Sequence, residues 1–158
     1  MGKRKKIIVA IESVLIAITL CFIFQNSILS KQQSSAQSGT AYSFFIQIFD
    51  AIFGQGVITQ QVFRKMAHAV EFFVLGVEVY LLYYTLVGLK LKRLFEILCI
   101  GLIVGLVDET IQVLSNRGAQ VVDVWIDFIG YLLGVIICLA CVLLVKFIIR
   151  KKRRKQAN

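Results

Sequence analysis

A chain of 158 residues fits one domain, spanning 1–158, better than two. At 58% hydrophobic, with no proline and a mean hydropathy of +0.81, it exceeds the roughly 45–50% apolar content of ordinary soluble domains. The net charge of +9 invites a nucleic-acid reading, but the placement of the cations favours a membrane surface and argues for no nucleic acid.

From the N-terminus, the basic run Lys3–Lys6 precedes an apolar block, Ile7 to Phe24. About 20 apolar residues cross a bilayer, whereas the apolar region of a cleaved signal runs to about 7–15. An uncleaved anchor is therefore expected. Residues 25–60 form the predicted outer loop, whose first part, Gln25 to Ser43, is rich in Ser and Gln and reads as flexible. Its later part, YSFFIQIFDAIF (Tyr42 to Phe53), is too short to span and reads as an interfacial or re-entrant segment. Three more blocks follow, at about 66–89, 94–114 and 121–149, and a basic tail covers 150–158. The expected fold is an all-α integral membrane protein of four transmembrane helices. The hinges at Gly88–Arg93 and Ser115–Gln120 are short, so consecutive spans are expected to be antiparallel neighbours, and the first helix is the least determined.

Fourteen of the 18 basic residues lie in the two tails and the hinge KLKR; only Lys31, Arg64, Lys65 and Arg117 lie on the other side. The positive-inside rule then puts both termini in the cytoplasm, with the tail touching anionic headgroups. Glu12 and Glu96 are expected to pair with these cations. Cys21, Cys99, Cys138 and Cys141 all fall inside spans with no further ligands nearby, so they read as small buried packing residues.

The polar residues inside the spans repeat at helical spacing. Arg64, His68 and Glu71 lie on one stripe; Gly101, Gly105, Asp108 and Gln112 lie on a second; Asp123, Asp127, Gly130 and Gly134 lie on a third. The glycines permit close helix approach. At about 1.5 Å per residue, Glu71, Asp108 and Asp127 each fall about 10 Å below the outer end of their helix. Three helices thus bring carboxylates to one shelf, where charge is costly unless paired or wetted. Arg64, His68 and Arg117 could simply clip the helices together. The set Glu71, Asp108, Glu109, Asp123, Asp127 and Asp50 nonetheless outnumbers its cations, which points to protons, water or a bound cation. Glu109 lies 100° around the helix from Asp108, so both cannot point at the centre. Glu78, near mid-membrane, has no evident cation at its depth.

Two segments carry a family resemblance. RKMAHAVEFFVLG, Arg64 to Gly76, resembles the R-K-x-x-H-x-x-E-[YF] signature of VanZ-like membrane proteins. DETIQVLSNRGAQVVDVWIDFIGYLLG, Asp108 to Gly134, resembles their second block. The matching positions are Arg64, Lys65, His68, Glu71, Asp108, Glu109, Gln112, Arg117, Asp123, Gly130 and Gly134. Asp127 stands where the family usually has Asn, and Ser115 and Asn116 stand where it often has proline–glycine. The resemblance implies a multi-pass protein of the bacterial cytoplasmic membrane, in a family whose namesake gives low-level protection against teicoplanin.

Three functions follow from these readings. The first is a non-catalytic binder of a lipid headgroup, a lipid-linked cell-wall precursor or a lipoglycopeptide, using Arg64, His68, Glu71, Asp108, Glu109, Gln112, Arg117, Asp123 and Asp127. The second is an envelope enzyme with His68 as acid/base beside Glu71, Asp108 and Asp123, and with a divalent cation on Asp108, Glu109, Asp123 and Asp127. No nucleophile is evident, since Thr110 points away from the Asp108 stripe. The third is a transport or structural role involving Glu78.

Overall fold

The computed structural model describes residues 2–29, 31–53, 58–88, 90, 92–115 and 120–157. Five helices follow one another: α1 (Lys3–Ile28), α2 (Lys31–Phe53), α3 (Gln60–Val87), α4 (Lys92–Leu114) and α5 (Val121–Ala157). Four of them, α1, α3, α4 and α5, are long and apolar enough to cross a membrane. The chain is a multi-pass, all-helical membrane protein. Without water to satisfy backbone polar groups, a continuous helix is the structure an isolated apolar span can adopt, and the absence of proline removes the commonest interruption.

The span limits differ from the sequence reading for local reasons. α3 begins six residues before the apolar block because Thr59 caps it, its hydroxyl accepting the Val62 N–H at 3.3 Å. That start places Arg64 and Lys65 on the helix rather than in a loop. At its other end Gly88, at φ 72°, terminates α3 and donates its N–H to the Tyr84 carbonyl. The basic tail is a continuation of α5, helical to Ala157.

The expected flexible loop is mostly helix. α1 runs on to Ile28, and α2 occupies 31–53, taking in the Ser- and Gln-rich stretch as well as the aromatic one. Its docking face explains the order. Tyr42, Phe45 and Phe49 recur at i, i+3 and i+7, and the first two rings sit 5.7 and 5.0 Å from that of Phe63 at the start of α3. The Tyr42 hydroxyl donates to the Ile58 carbonyl at 2.8 Å. Phe44, Ile48 and Ile52 form the opposite, exposed stripe.

The closest helix pair is not consecutive in the chain. α3 packs chiefly on α5, which runs parallel to it, and only lightly on α4. A Cβ at Gly130 would strike the Ala69 carbonyl, one at Gly134 the Phe73 carbonyl, and one at Gly76 the Tyr131 carbonyl. Glycine from both helices thus brings the backbones together, as small residues do in membranes. Tyr131 then crosses to α4, its ring filling the space beside Gly101 and its hydroxyl donating to the Ile97 carbonyl at 2.8 Å. Around it lie Ile23, Phe72, Leu75, Val79, Tyr80, Ile97 and Val135, the buried core.

α1 is fixed against α3 by a ladder of polar contacts. Asn26 donates to Glu71 Oε1 at 3.0 Å, Thr19 to Glu78 Oε1 at 3.1 Å, and Thr85 to Glu12 Oε1 at 2.8 Å. The rungs are seven residues apart on both helices, which is two helical turns, so they all lie along one seam. Glu12 therefore takes a threonine as its partner rather than the basic residue expected, whereas Glu96 does pair with Arg93. Near the basic end, Lys5 Nζ donates to the Leu86 carbonyl at 3.0 Å and Lys146 lies over the Tyr84 ring at 5.3 Å. The cysteines correct another expectation: Cys21 and Cys141 are exposed, facing outward on lipid-crossing helices, and Cys99 and Cys138 are half-buried.

Candidate functional site

At the end of the bundle away from the basic tail, α3, α4 and α5 enclose a polar recess. Arg64, Lys65 and His68 come from α3, Glu109 and Gln112 from α4, and Asp123, Ile126 and Asp127 from α5; the space is about 310 Å³ counting its open mouth. These residues converge for the reason read from spacing. Intervals of three and four return to the same face, and the glycine seam one turn further along holds α3 and α5 close enough for their polar ends to meet.

Some of the predicted site residues line the recess and others stand behind it. Lys65 Nζ forms an ion pair with Asp123 that bridges α3 and α5 at the mouth. His68 Nδ1 lies 3.7 Å from Glu71 Oε2 on the same helix. Glu71 turns toward α1 to accept from Asn26 and does not line the recess. Asp108, fully buried, also stands behind the recess wall; its Oδ1 accepts from Ser27 of α1 at 2.5 Å and its Oδ2 from Gln112 at 2.8 Å. Arg117 lies outside the described residues.

Asp108, Glu109 and Asp127 form the tightest group of acids. Each offers one carboxylate oxygen, and the three atoms lie within 4.8 Å of one another. All three side chains are buried. Glu109 joins this group despite its angular offset from Asp108. Carboxylates of α4 and α5 are thus brought together. The expected four-acid cation set is narrowed, since Asp123 is committed to Lys65 and stands outside the trio. A trio of buried carboxylate oxygens is a hard donor set that suits magnesium, calcium or manganese.

Arg64 has no ion pair among the described residues, although it lines the same recess as three carboxylates. Thr110 points away, its hydroxyl donating to the Leu106 carbonyl. Among the described residues lining the recess none is Ser, Thr, Cys or Tyr.

Reading the sequence missed the contribution of α1. Ser27 and Asn26 hold two of the shelf carboxylates, and Thr19 holds Glu78. The shared seven-residue spacing of Glu12, Thr19 and Asn26 with Glu71, Glu78 and Thr85 was the available signal. Lys65 appeared only as a matching position, and its pairing with Asp123 needed the α3–α5 register.

A family model described as VanZ/LLP1 matches residues 12–146. The chain belongs to the VanZ/LLP1 family. The match takes in α3 and α4 whole, α1 from its first ladder rung at Glu12, α5 as far as Lys146, and every recess residue of this VanZ-like protein. No curated protein sequence and no solved structure matches the chain.

Proposed function

We propose that this VanZ-like protein of the bacterial cytoplasmic membrane binds the anionic polar end of a lipid-linked molecule in the recess, without turning it over. Both termini are then cytoplasmic, by the distribution of basic residues, and the recess opens to the outer leaflet. The observation that carries the reading is Arg64, a cation lining the recess with no ion pair among the described residues. Beside it, Lys65 and His68 add donors, while Gln112 and the carboxylates can accept from sugar or peptide groups. A guanidinium at a partly desolvated site pairs readily with phosphate or carboxylate. Occupation of a lipid-linked cell-wall precursor, or of a lipoglycopeptide drug, is the route by which the protein contributes to tolerance of teicoplanin-type compounds.

The test is expression in a susceptible bacterium with the inhibitory concentration of teicoplanin as readout. Arg64→Ala and Asp123→Ala should abolish any gain in tolerance while membrane levels of the protein hold. Purified protein should retain a phosphate-bearing lipid without product formation. Turnover of that lipid would overturn the binding reading.

The acid trio favours a second reading, a membrane-embedded enzyme. A divalent cation held by Asp108, Glu109 and Asp127 would act as a Lewis acid toward a phosphoryl group or water. His68, with Glu71 3.7 Å away, would move the proton, and Arg64 would hold the substrate. A stoichiometric divalent ion in the purified protein, lost on Asp127→Ala, together with turnover, would decide for it.

A further inference from the structure

An apolar groove runs along the α3–α5 seam directly below the recess. Ala69, Val70 and Phe73 form one wall, Ile126, Ile129 and Leu133 the other, and Gly130 the floor; it has about 570 Å³ counting its open side. No charged or polar side chain lines it. The groove exists because of the seam. Ala69 and Gly130 meet backbone to backbone, so no side chain fills the space between the larger residues on either side.

Two relationships tie the groove to the recess. Ile126 lines both, and Ala69 directly follows His68, a recess residue, in the chain. From Ile126 to Leu133 the groove descends about 10 Å at 1.5 Å per residue. Along this one seam the lining passes from Arg64 and Lys65, through His68 and the acids, to hydrocarbon alone. A molecule with an anionic head and a long apolar chain has the same sequence of properties. A headgroup held in the recess would keep one such chain in place along the groove.

We propose that the groove holds one hydrocarbon chain of the anionic amphiphile whose headgroup binds in the recess, so that the chain is part of what is recognised. This rests on the headgroup reading above. Leu133, about half exposed on the groove wall, can be enlarged without entering the core.

The test uses native mass spectrometry of the full chain in detergent. The probes are phosphatidylglycerol with two eighteen-carbon chains and phosphatidylglycerol with two six-carbon chains, at equal mole fraction. The parent protein should retain the long-chain lipid at least tenfold better than the short-chain one. Leu133→Trp and Ile129→Trp should bring the long-chain lipid down to the short-chain level and leave the short-chain lipid unchanged. Arg64→Ala should weaken both. Equal retention of the two lipids by the parent, with Arg64 dependence intact, would overturn the groove and leave the headgroup reading standing. Retention of either lipid independent of Arg64 would overturn both. If the tryptophan variants match the parent while chain length still matters, the chain lies elsewhere and the groove proposal fails.

Discussion

The hydroxyl of Ser27 on α1 donates a 2.5 Å hydrogen bond to Oδ1 of Asp108 on α4, and both side chains are completely buried. The Ile23 carbonyl lies 3.2 Å from the same hydroxyl, but a single proton serves the carboxylate better. Ser27→Ala leaves that oxygen of Asp108 buried with its donor removed. A loss of about 1–3 kcal/mol is expected, measured by denaturant titration in detergent. Ser27→Thr, which keeps the hydroxyl, should lose less. No difference between the two would mean that the hydroxyl contributes little.

The ladder between α1 and α3 predicts pairwise coupling. Thr19→Val with Glu78→Leu, and Asn26→Leu with Glu71→Leu, should each give a coupling energy of about 0.6 kcal/mol and at most about 1.7, the range for interhelical hydrogen bonds in membranes. A double-mutant cycle on unfolding free energy reads it. Crossed pairs, such as Thr19→Val with Glu71→Leu, lie two turns apart and should be additive.

The glycines separate into two classes by what surrounds them. Gly130→Ala drives a methyl group into the Ala69 carbonyl, so α3 and α5 must part, at a cost of about 1–3 kcal/mol or more. Gly105→Ala meets Val124 and Asp127 no closer than 3.8 Å, an ordinary contact, and should hold stability or raise it by up to about 1 kcal/mol through helix propensity. Thermal unfolding of the two variants side by side checks the contrast. Both positions carry glycine at equivalent places in their stripes, so the difference lies wholly in packing.

Among the described residues, Phe63 of α3 meets two rings of α2. Phe63→Ala removes the ring that meets both Tyr42 and Phe45. Such ring pairs are worth about 0.5–1.5 kcal/mol each beyond burial, so losing two raises the open population of α2 by at least about fivefold. Chymotryptic cleavage within Tyr42–Phe53 should speed up by that factor, while cleavage in the four crossing helices stays unchanged.

The contrast between α2 and the shelf shows what can be read from residues alone. The stripes through His68, Asp108 and Asp127 were legible because helical periodicity puts polar residues of an apolar span on one face, and lipid leaves such a face only one place to go. The structure brings His68 and Asp127 to one recess and seats Asp108 just behind it. α2 was not legible, because Ser and Gln describe a loop by composition, and the rings of its second half dock on Phe63, well beyond the stretch in question. The partner of Glu78 was hidden for a similar reason. Thr19 looks like any small polar residue in an apolar helix until α1 is set against α3. The preference of α3 for α5 over α4 was also beyond reach, since short hinges fix only which helices follow one another.

The parallel seam has a consequence for how the protein is made. Consecutive helices enter a membrane in the order of synthesis, and α3 must wait through the whole of α4 for the surface it fits best. Until α5 arrives, Gly76 has no backbone to meet and Lys65 has no Asp123. The recess is therefore absent from every nascent intermediate and forms in the last step of assembly. A chain stopped before Val121 would keep the α1 ladder and the Ser27 contact, and would lack a whole wall of the recess.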